Sequence, residues 1–248
     1  MKQQLIFVTG ASRGIGAAIA LELATQGYQV GCLSRSGDLP SAPGTSPDIA
    51  ARWHAVPCDV TQPDAVRNAM NTVVERLGLP VAGLVNNAGL HTEQPTIDLP
   101  AEEFQRLMNM NALSTLQVSQ IVYPLLQANG GGLIVNIGSF FDKLGVKRNV
   151  AYCASKAAVG AITRCLAVEW APAGIKVINI APGYIVTDLN KDAMESDAFK
   201  AYLQRRIPGK QPGQARDVGA FVTSLFTTRC DFLTGETIYM DGAQAISA

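Results

Sequence analysis

The sequence predicts a single-domain α/β protein, residues 1–248, built on one doubly wound parallel sheet of about seven strands with helices on both faces. Short apolar runs alternate with helical patterns about seven times along the chain, which is typical of parallel sheets with right-handed crossovers. A glycine-rich turn directly follows the first apolar run. The 248 residues, 48% of them hydrophobic, suffice for one large core, and no linker separates two hydrophobic patterns.

The predicted strands are short apolar runs, the first of which suits a strand buried on both faces. In chain order they cover residues 5–8, 28–33, 53–57, 81–85, 132–137, 176–180 and 237–240. Apolar residues at helical spacing predict the helices between them. These cover residues 17–25, 63–77, 101–128, 151–169 and 217–226.

Two segments predict loops instead. Residues 37–47 contain Pro40, Pro43 and Pro47 among Ser, Gly and Asp, a composition that breaks helices, and a short helical turn is expected at 48–52. Residues 184–213 are polar and partly helical, at 192–205. Such a segment at the end of a strand is typical of a substrate lid.

Composition argues against several classes of protein. Twenty Lys and Arg balance twenty Asp and Glu, so no basic field favours nucleic acid as a partner. No apolar run approaches the length of a membrane span, and the first apolar run leads straight into Gly10 without a signal-peptide cleavage region. The five Cys are scattered without a CxxC motif and only two His are present, so neither disulfides nor a metal site is predicted and a cytoplasmic location is expected.

The glycine-rich turn at residues 9–16 reads Thr-Gly-Ala-Ser-Arg-Gly-Ile-Gly and lies between a strand and a helix. In that context, backbone N–H groups and a helix N-terminus can face a pyrophosphate, and Gly leaves room for it to approach. We therefore predict a Rossmann-type dinucleotide site. Its first contacts are expected from Gly10, Ser12, Arg13, Gly14, Ile15 and Gly16.

The end of the second strand predicts which dinucleotide is bound. Ser34 and Arg35 stand where an NAD-binding chain usually has an acidic residue for the ribose 2′-hydroxyl. Together with Arg13, Arg35 favours a 2′-phosphate and hence NADP(H), although both arginines could instead be solvated surface residues. Asp59, followed by Val60 at the end of the third strand, could either bind the adenine amino group or cap the next helix.

Tyr152 and Lys156 are the candidate catalytic residues. Residues four apart on a helix share one face, and a cation near a phenol would draw its pKa of about 10 toward neutrality, where acid–base catalysis is effective. Ser139 ends the fifth strand thirteen residues earlier, far enough for a loop to bring its hydroxyl opposite the phenol. Asn111 lies inside a helical segment, where a polar side chain is mildly unfavourable and so indicates a role or a partner.

Taken together, these motifs resemble the short-chain dehydrogenase/reductase family over essentially the whole chain. They are residues 9–16, Asn86-Asn87-Ala88-Gly89, Asn111, Ser139, Tyr152 with Lys156, and Pro182-Gly183. The resemblance implies that Tyr152 exchanges a proton with the substrate oxygen, which Ser139 orients. It also implies that Lys156 binds the nicotinamide ribose, and that Asn111 holds a water in a proton relay.

The resemblance extends to further contacts and to assembly. Cofactor contacts are implied at Asn87, Ala88, Gly89, Tyr152, Lys156, Pro182, Gly183, Ile185 and Thr187. A homotetramer, or a homodimer, is implied, with the helices at 101–128 and 151–169 facing a second subunit.

The similar 3-oxoacyl-[acyl-carrier-protein] reductases usually carry basic residues where this chain has Asn129-Gly130-Gly131-Gly132 and Ala171-Pro172-Ala173-Gly174. A small free carbonyl compound or secondary alcohol is therefore the expected substrate, and the carrier-bound reaction is the alternative. A non-catalytic dinucleotide-binding protein is a remote second alternative.

The substrate pocket is expected to contain His91, Phe141, Leu144 and Tyr184. The apolar side chains of Phe140, Phe141 and Leu144 would form one wall. Lys147, Arg148 and Asn149 could meet an anionic or hydroxylated substrate, or could simply form a solvated turn.

Overall fold

Seven parallel strands form the central sheet in a computed structural model that describes residues 4–187, 190, 194, 196–228 and 230–247. The strands are β1 (Leu5–Thr9), β2 (Gln29–Ser34), β3 (Trp53–Pro57), β4 (Val81–Asn86), β5 (Gly132–Ile137), β6 (Ile175–Pro182) and β9 (Thr237–Met240). Their order across the sheet is β3-β2-β1-β4-β5-β6-β9, and each neighbouring pair is parallel. A separate pair of two-residue strands consists of β7 (Ile185–Val186) and β8 (Gly213–Gln214).

Helices cover both faces of this sheet. They are α1 (Gly14–Thr25), α2 (Pro47–Ala50), α3 (Pro63–Leu77), α4 (Ala101–Met108), α5 (Ser114–Ala128), α6 (Val150–Trp170), α7 (Asp197–Arg206) and α8 (Ala215–Thr227). On one face, α3, α5 and α6 contribute Val66, Val122 and Leu166 to a buried cluster. On the other face, α1 and α8 contribute Leu23 and Val222 to a second cluster.

The order of the strands determines where a ligand can bind. The chain winds outward from β1 to β2 and β3, and then crosses back to β4 on the opposite side of β1. At such a switch point the loops after β1 and β4 diverge and leave a crevice at the carboxyl ends of the strands. The glycine-rich turn and residues 86–89 both lie at this crevice.

Three asparagines hold the middle of the sheet and its helices together. Asn86, Asn136 and Asn179 pair in register on β4, β5 and β6. The Asn86 amide donates to Asn136 Oδ1 at 2.9 Å, and the Asn136 amide donates to Thr163 Oγ1 of α6 at 2.9 Å. Because buried polar groups require partners, these bonds fix α6 against the sheet one layer below the crevice.

The predicted fold class is confirmed, and the predicted bounds of β3, α3, β5 and β9 coincide with the observed ones. The predicted helix at 101–128 is instead interrupted by a π-helical turn at Asn109–Leu113. The short strands β7 and β8 were not predicted, because two residues give no periodic signal. The lid helix is observed as Asp197–Arg206, and residues 192, 193 and 195 of the predicted segment lie outside the described residues.

In the described part of the chain, no helix has both the length and the apolar character needed to cross a membrane.

We predict that Gly31→Ala destabilises the sheet. Gly31 pairs with Phe7 across β1 and β2, and an added Cβ would overlap the Phe7 ring, which is fully buried and cannot move aside. Overpacking of this kind lowers the free energy of unfolding by about 1 to 3 kcal/mol, which urea denaturation measures. Gly209→Ala is the control, since a Cβ there meets no atom within 4 Å. Equal stability of the two variants would contradict the packing described.

Candidate active site

A cleft of about 1240 Å³ lies at the carboxyl ends of the strands. It extends from the glycine-rich turn to the residues around Ser139 and Tyr152. Most of the predicted site residues line it: Gly10, Ser12, Arg13, Gly14, Ile15, Ser34, Arg35, Val60, Asn87, Ala88, Gly89, His91, Ser139, Phe141, Tyr152, Lys156, Pro182, Gly183, Tyr184, Ile185 and Thr187. Four predicted residues do not line it, namely Gly16, Asp59, Asn111 and Leu144.

One end of the cleft fits an anion. Helix α1 starts at Gly14, and neither a side-chain cap nor an acidic residue occupies its first turn. Gly10 and Gly14 have φ angles of 64° and 58°, a conformation that glycine adopts without strain. Uncapped N–H groups and the helix dipole favour a phosphate here. A Cβ on Gly14 would lie 3.6 Å from the Thr187 side chain, which places Thr187 over the turn.

The segment after β4 braces this turn. Thr9 Oγ1 accepts hydrogen bonds from the backbone N–H groups of Asn87 and Ala88, each at 3.0 Å. The Asn87 amide donates to the carbonyl oxygens of Thr9 and Gly10 at 3.0 and 3.1 Å. Gly16 packs beneath, where a Cβ would overlap Gly10 O. Asn87 and Gly16 therefore fix the shape of the turn, and Gly16 lies beneath it rather than in the cleft.

The expected 2′-phosphate region lies beside the end of β2. Arg13 and Arg35 are exposed along the cleft, whereas Ser34 is buried and accepts a hydrogen bond from Gly37 N–H at 3.1 Å. The proline-containing loop returns over the turn, where Ser41 N–H donates to Ser12 O at 2.9 Å. This loop adds lining residues that sequence reasoning missed, Ser36, Asp38, Leu39 and Ser41. Composition predicted a loop here, but it did not indicate that the loop folds back over the glycine-rich turn.

Asp59 does not cap the helix that follows it, and its contact with an adenine amino group stays a prediction. Its carboxylate accepts hydrogen bonds from the backbone N–H and the hydroxyl of Thr61, at 2.9 and 2.7 Å, and these bonds lower the pKa of Asp59. The residue that precedes α3 is Gln62, without a side-chain cap. Asp59 therefore neither caps the helix nor lines the cleft, and its neighbours Cys58 and Val60 line it instead.

Ser139 and Tyr152 meet at the other end of the cleft. Ser139 follows β5 directly, and its hydroxyl oxygen accepts a hydrogen bond from Phe141 N–H at 3.3 Å. Burial raises the pKa of the Tyr152 phenol, and a hydrogen bond with Ser139 opposes the shift only in part. The expectation that Lys156 draws this pKa toward neutrality is wrong, because desolvation of the phenol dominates. At neutral pH the phenol therefore carries its proton.

Lys156 lies beneath Tyr152, with Nζ 5.8 Å from the centre of the phenol ring. Lys156 as a whole is 5% exposed, and its ammonium donates to Ile137 O at 2.8 Å. Burial lowers the pKa of Lys156 to about 8, so at pH 7 the side chain is mostly charged. A positive charge is thus held next to the phenol and the end of β5.

Asn111 lies behind this site rather than in it. Its side chain accepts a hydrogen bond from Leu90 N–H at 2.8 Å and donates to Leu90 O and Ser155 Oγ, each at 2.9 Å. Ser155 in turn donates to Tyr152 O at 2.8 Å. The π-helical turn directs Asn111 inward, so its amide joins the loop after β4 to helix α6. The water relay remains a prediction.

An aromatic wall faces Tyr152. Phe140, Phe141, Tyr184 and Phe199 form edge-to-face contacts, with centroid distances of 5.4 Å for Phe140 and Tyr184 and 5.5 Å for Tyr184 and Phe199. Leu144, expected in this wall, is absent from it because the 3₁₀ turn Phe140–Lys143 ends there and the chain leaves the cleft. Three residues of the lid also line the cleft, namely Asn190, Met194 and Phe199. The sequence did not single them out, because which lid residues reach the cleft depends on packing between segments that are distant in the chain.

A polar clamp holds the 3₁₀ turn that follows Ser139. Tyr239 of β9 donates to Asp142, with Oη 2.9 and 3.1 Å from the two carboxylate oxygens. The Lys143 ammonium lies 3.5 Å from the centre of the Tyr239 ring, a cation–π contact. These contacts tie the end of β5, and with it Ser139, to the edge strand of the sheet.

We predict that Tyr239→Phe loosens this clamp and lowers the free energy of unfolding by about 1 to 2 kcal/mol. This figure is taken from the low end of the free energies that hydrogen bonds to charged groups contribute, because Asp142 is partly exposed. The turnover number should fall as Ser139 loses its support, while cofactor binding stays the same. Asp142→Asn keeps an acceptor oxygen for Tyr239, so its free energy of unfolding and its turnover number should both fall less. Unchanged stability and turnover in Tyr239→Phe would contradict a positioning role.

Comparison with known proteins finds relatives that match nearly the whole chain. A family model described as enoyl-(acyl carrier protein) reductase matches residues 10–243. The chain is 33% identical over 241 residues to the 3-oxoacyl-[acyl-carrier-protein] reductase MabA of Mycobacterium tuberculosis, covering 97% of this chain and 92% of the relative. It is 34% identical over 242 residues to a glucose 1-dehydrogenase of Gluconobacter oxydans, covering 96% and 90%.

Solved structures agree with these relatives. A short-chain type dehydrogenase/reductase from Mycobacterium marinum superposes with a TM-score of 0.89 at 31% identity, covering 99% of this chain and 97% of that one. An acetoin dehydrogenase from Enterobacter cloacae gives a TM-score of 0.86 at 30% identity, covering 100% and 97%. The chain belongs to the short-chain dehydrogenase/reductase family of oxidoreductases, which act on CH–OH and C=O groups with nicotinamide dinucleotides.

Proposed function

We propose that this protein is an NADP(H)-dependent oxidoreductase that reduces a small carbonyl compound to a secondary alcohol, or catalyses the reverse reaction. The observation that carries the proposal is the shared end of the cleft, where Ser139, Tyr152 and Lys156 meet. The same cleft continues to the uncapped N-terminus of α1, whose N–H groups fit a pyrophosphate. The proton donor and the region that fits the cofactor's pyrophosphate thus belong to one site.

The chemistry of these side chains suits reduction. Ser139 orients the carbonyl oxygen, and Tyr152, which keeps its proton at neutral pH, donates that proton to the oxygen as negative charge develops there. The charged Lys156 beneath then stabilises the phenolate that is left. The bound nicotinamide supplies the hydride. Lys156 would also hold the nicotinamide ribose, and Pro182, Gly183 and Ile185 would lie along the nicotinamide.

NADP(H) is proposed rather than NAD(H) because of the charges beside β2. Arg13 and Arg35 are both exposed along the cleft, and guanidinium groups match phosphate oxygens. Asp38 also lines this part of the cleft, and its carboxylate opposes a phosphate. The preference therefore depends on two cations outweighing one anion.

A second candidate is the reduction of 3-oxoacyl groups bound to a carrier protein, which the relatives' names favour. The loops at 129–132 and 171–174 lack the basic residues that would dock an acidic carrier. They also pack against each other, with Gly132 N–H donating to Gly174 O at 3.1 Å. A small free carbonyl compound is therefore preferred. Turnover confined to acetoacetyl thioesters, with free ketones inert, would favour the carrier-bound reaction.

We further propose a homotetramer, or a homodimer, and a cytoplasmic location. Val150 and Val168 of α6 are 39% and 80% exposed, and Leu113 before α5 is 43% exposed. Large apolar side chains on these helices suit a subunit contact. The scattered cysteines suit a reducing compartment.

Tyr152→Phe is expected to lower turnover by about a hundredfold to ten-thousandfold, the range for loss of a general acid. The phenyl ring preserves packing, so NADPH binding, followed by its fluorescence, should change little. Reduction of a ketone panel with NADPH gives the rate, and Tyr123→Phe on α5 is the control outside the cleft. Retention of most of the turnover would refute the assignment.

Arg35→Ala is expected to raise the KM for NADPH by about ten- to hundredfold, since a charged hydrogen bond contributes about 1.5 to 3 kcal/mol. The KM for NADH should change little, and Asp38→Asn should improve NADPH use slightly. Initial rates with both cofactors measure these effects. Better catalytic efficiency of the wild type with NADH would overturn the NADP(H) preference.

Light scattering after size exclusion should give four times the chain mass of 26.3 kDa, or twice that mass for a dimer. A solution mass equal to one chain would refute the assembly.

A further inference from the structure

The imidazole of His91 lies against the catalytic tyrosine. Its ring centre is 4.6 Å from that of Tyr152, with the planes at 70°, and 6.5 Å from that of Phe141. His91 is exposed and lines the cleft. A substrate that reaches the Tyr152 phenol therefore passes beside this ring.

Asn149 determines which nitrogen of His91 carries the hydrogen. The Asn149 amide nitrogen donates to Lys147 O at 2.9 Å, a carbonyl that can only accept. Asn149 Oδ1 consequently faces His91 Nε2, at 2.6 Å. Since that oxygen can only accept, Nε2 must donate to it. In the neutral imidazole the lone pair is therefore on Nδ1.

This orientation is built into the start of the catalytic helix. Asn149 is 3% exposed, and its carbonyl oxygen accepts a hydrogen bond from Cys153 N–H at 2.8 Å. Gln94 N–H also donates to Arg148 O at 2.8 Å, which joins the two loops a second time. The His91 ring is thus held in place by the same turn that presents Tyr152.

Nδ1 of His91 accepts no hydrogen bond from any residue in the described ranges. Phe140 and Phe141 of the aromatic wall lie next to this site and have no polar side-chain atom that could bind a ligand. A substrate group that meets Nδ1 must donate a hydrogen bond, as a hydroxyl does and a carboxylate or ketone oxygen does not.

We propose that His91 is a specificity-determining residue that selects carbonyl substrates with a hydroxyl group on the carbon next to the carbonyl. Because the ring centres of His91 and Tyr152 are 4.6 Å apart, a substrate group bonded to His91 lies close to the carbonyl whose oxygen Tyr152 protonates, and we infer that it is carried by the adjacent carbon. The substrate class is then an α-hydroxyketone, or a vicinal diol in the reverse direction. This inference rests on the proposed reductase function.

The test compares pairs of ketones with one carbon skeleton, butan-2-one with 3-hydroxybutan-2-one and 1-phenylpropan-1-one with its 2-hydroxy derivative. With NADPH at about pH 8, the hydroxyketone should be favoured by about tenfold or more in kcat/KM. His91→Phe keeps an aromatic ring and removes the acceptor, so the ratio of the two kcat/KM values should fall to about one, whatever the rate with the plain ketone. His54→Phe, the other histidine, bonded to Gln29 on β2, is the control.

Equal rates for both ketones in the wild type, or a preference kept in His91→Phe, would overturn the inference and leave the reductase function standing. If none of the ketones were reduced with NADPH, the result would count against the reductase function itself. Nitrogen NMR of labelled histidine, assigned with His91→Phe, tests the orientation without turnover. A hydrogen on Nε2 and none on Nδ1 near pH 8 is expected, and the opposite tautomer would overturn the inference.

Discussion

The burial of one ammonium group constrains the whole site. Lys156 is 5% exposed, and a charge removed from water requires a close polar partner. That partner is the carbonyl oxygen of Ile137, the last residue of β5. Helix α6 must therefore dock with Lys156 over the end of β5, which brings Tyr152, one turn earlier, opposite Ser139. Gly89 packs beside this group, because a Cβ there would lie only 3.3 Å from Asn111 Oδ1, the oxygen that accepts from Leu90 N–H.

The same constraint shapes the chemistry. Burial acts in opposite directions on the two groups, raising the pKa of the Tyr152 phenol and lowering that of the Lys156 ammonium to about 8. At neutral pH the phenol holds a proton to give and the ammonium remains mostly charged below it. Acid and cation therefore coexist in a cleft whose other end attracts phosphate, an arrangement suited to reducing a carbonyl group.

Sequence reasoning predicted most of the residues that line the cleft because local patterns encode them. Strand and helix periodicity, the glycine turn and the spacing of Tyr152 and Lys156 are all properties of short segments. It failed where contacts between distant segments decide. Asp38 enters the cleft because its loop folds back onto Ser12, and Leu144 leaves it because a 3₁₀ turn redirects the chain. The raised pKa of Tyr152 likewise reflects burial, which spacing along a helix does not reveal.

The most direct test of this account is the ionisation of Tyr152 in the free protein. Carbon NMR of protein labelled at tyrosine Cζ, with the resonance assigned by its loss in Tyr152→Phe, follows the phenol through a pH titration. The account predicts a midpoint above about 10, the ordinary value for tyrosine. A midpoint near neutrality would contradict it, and would mean that Lys156 rather than burial sets the state of the phenol.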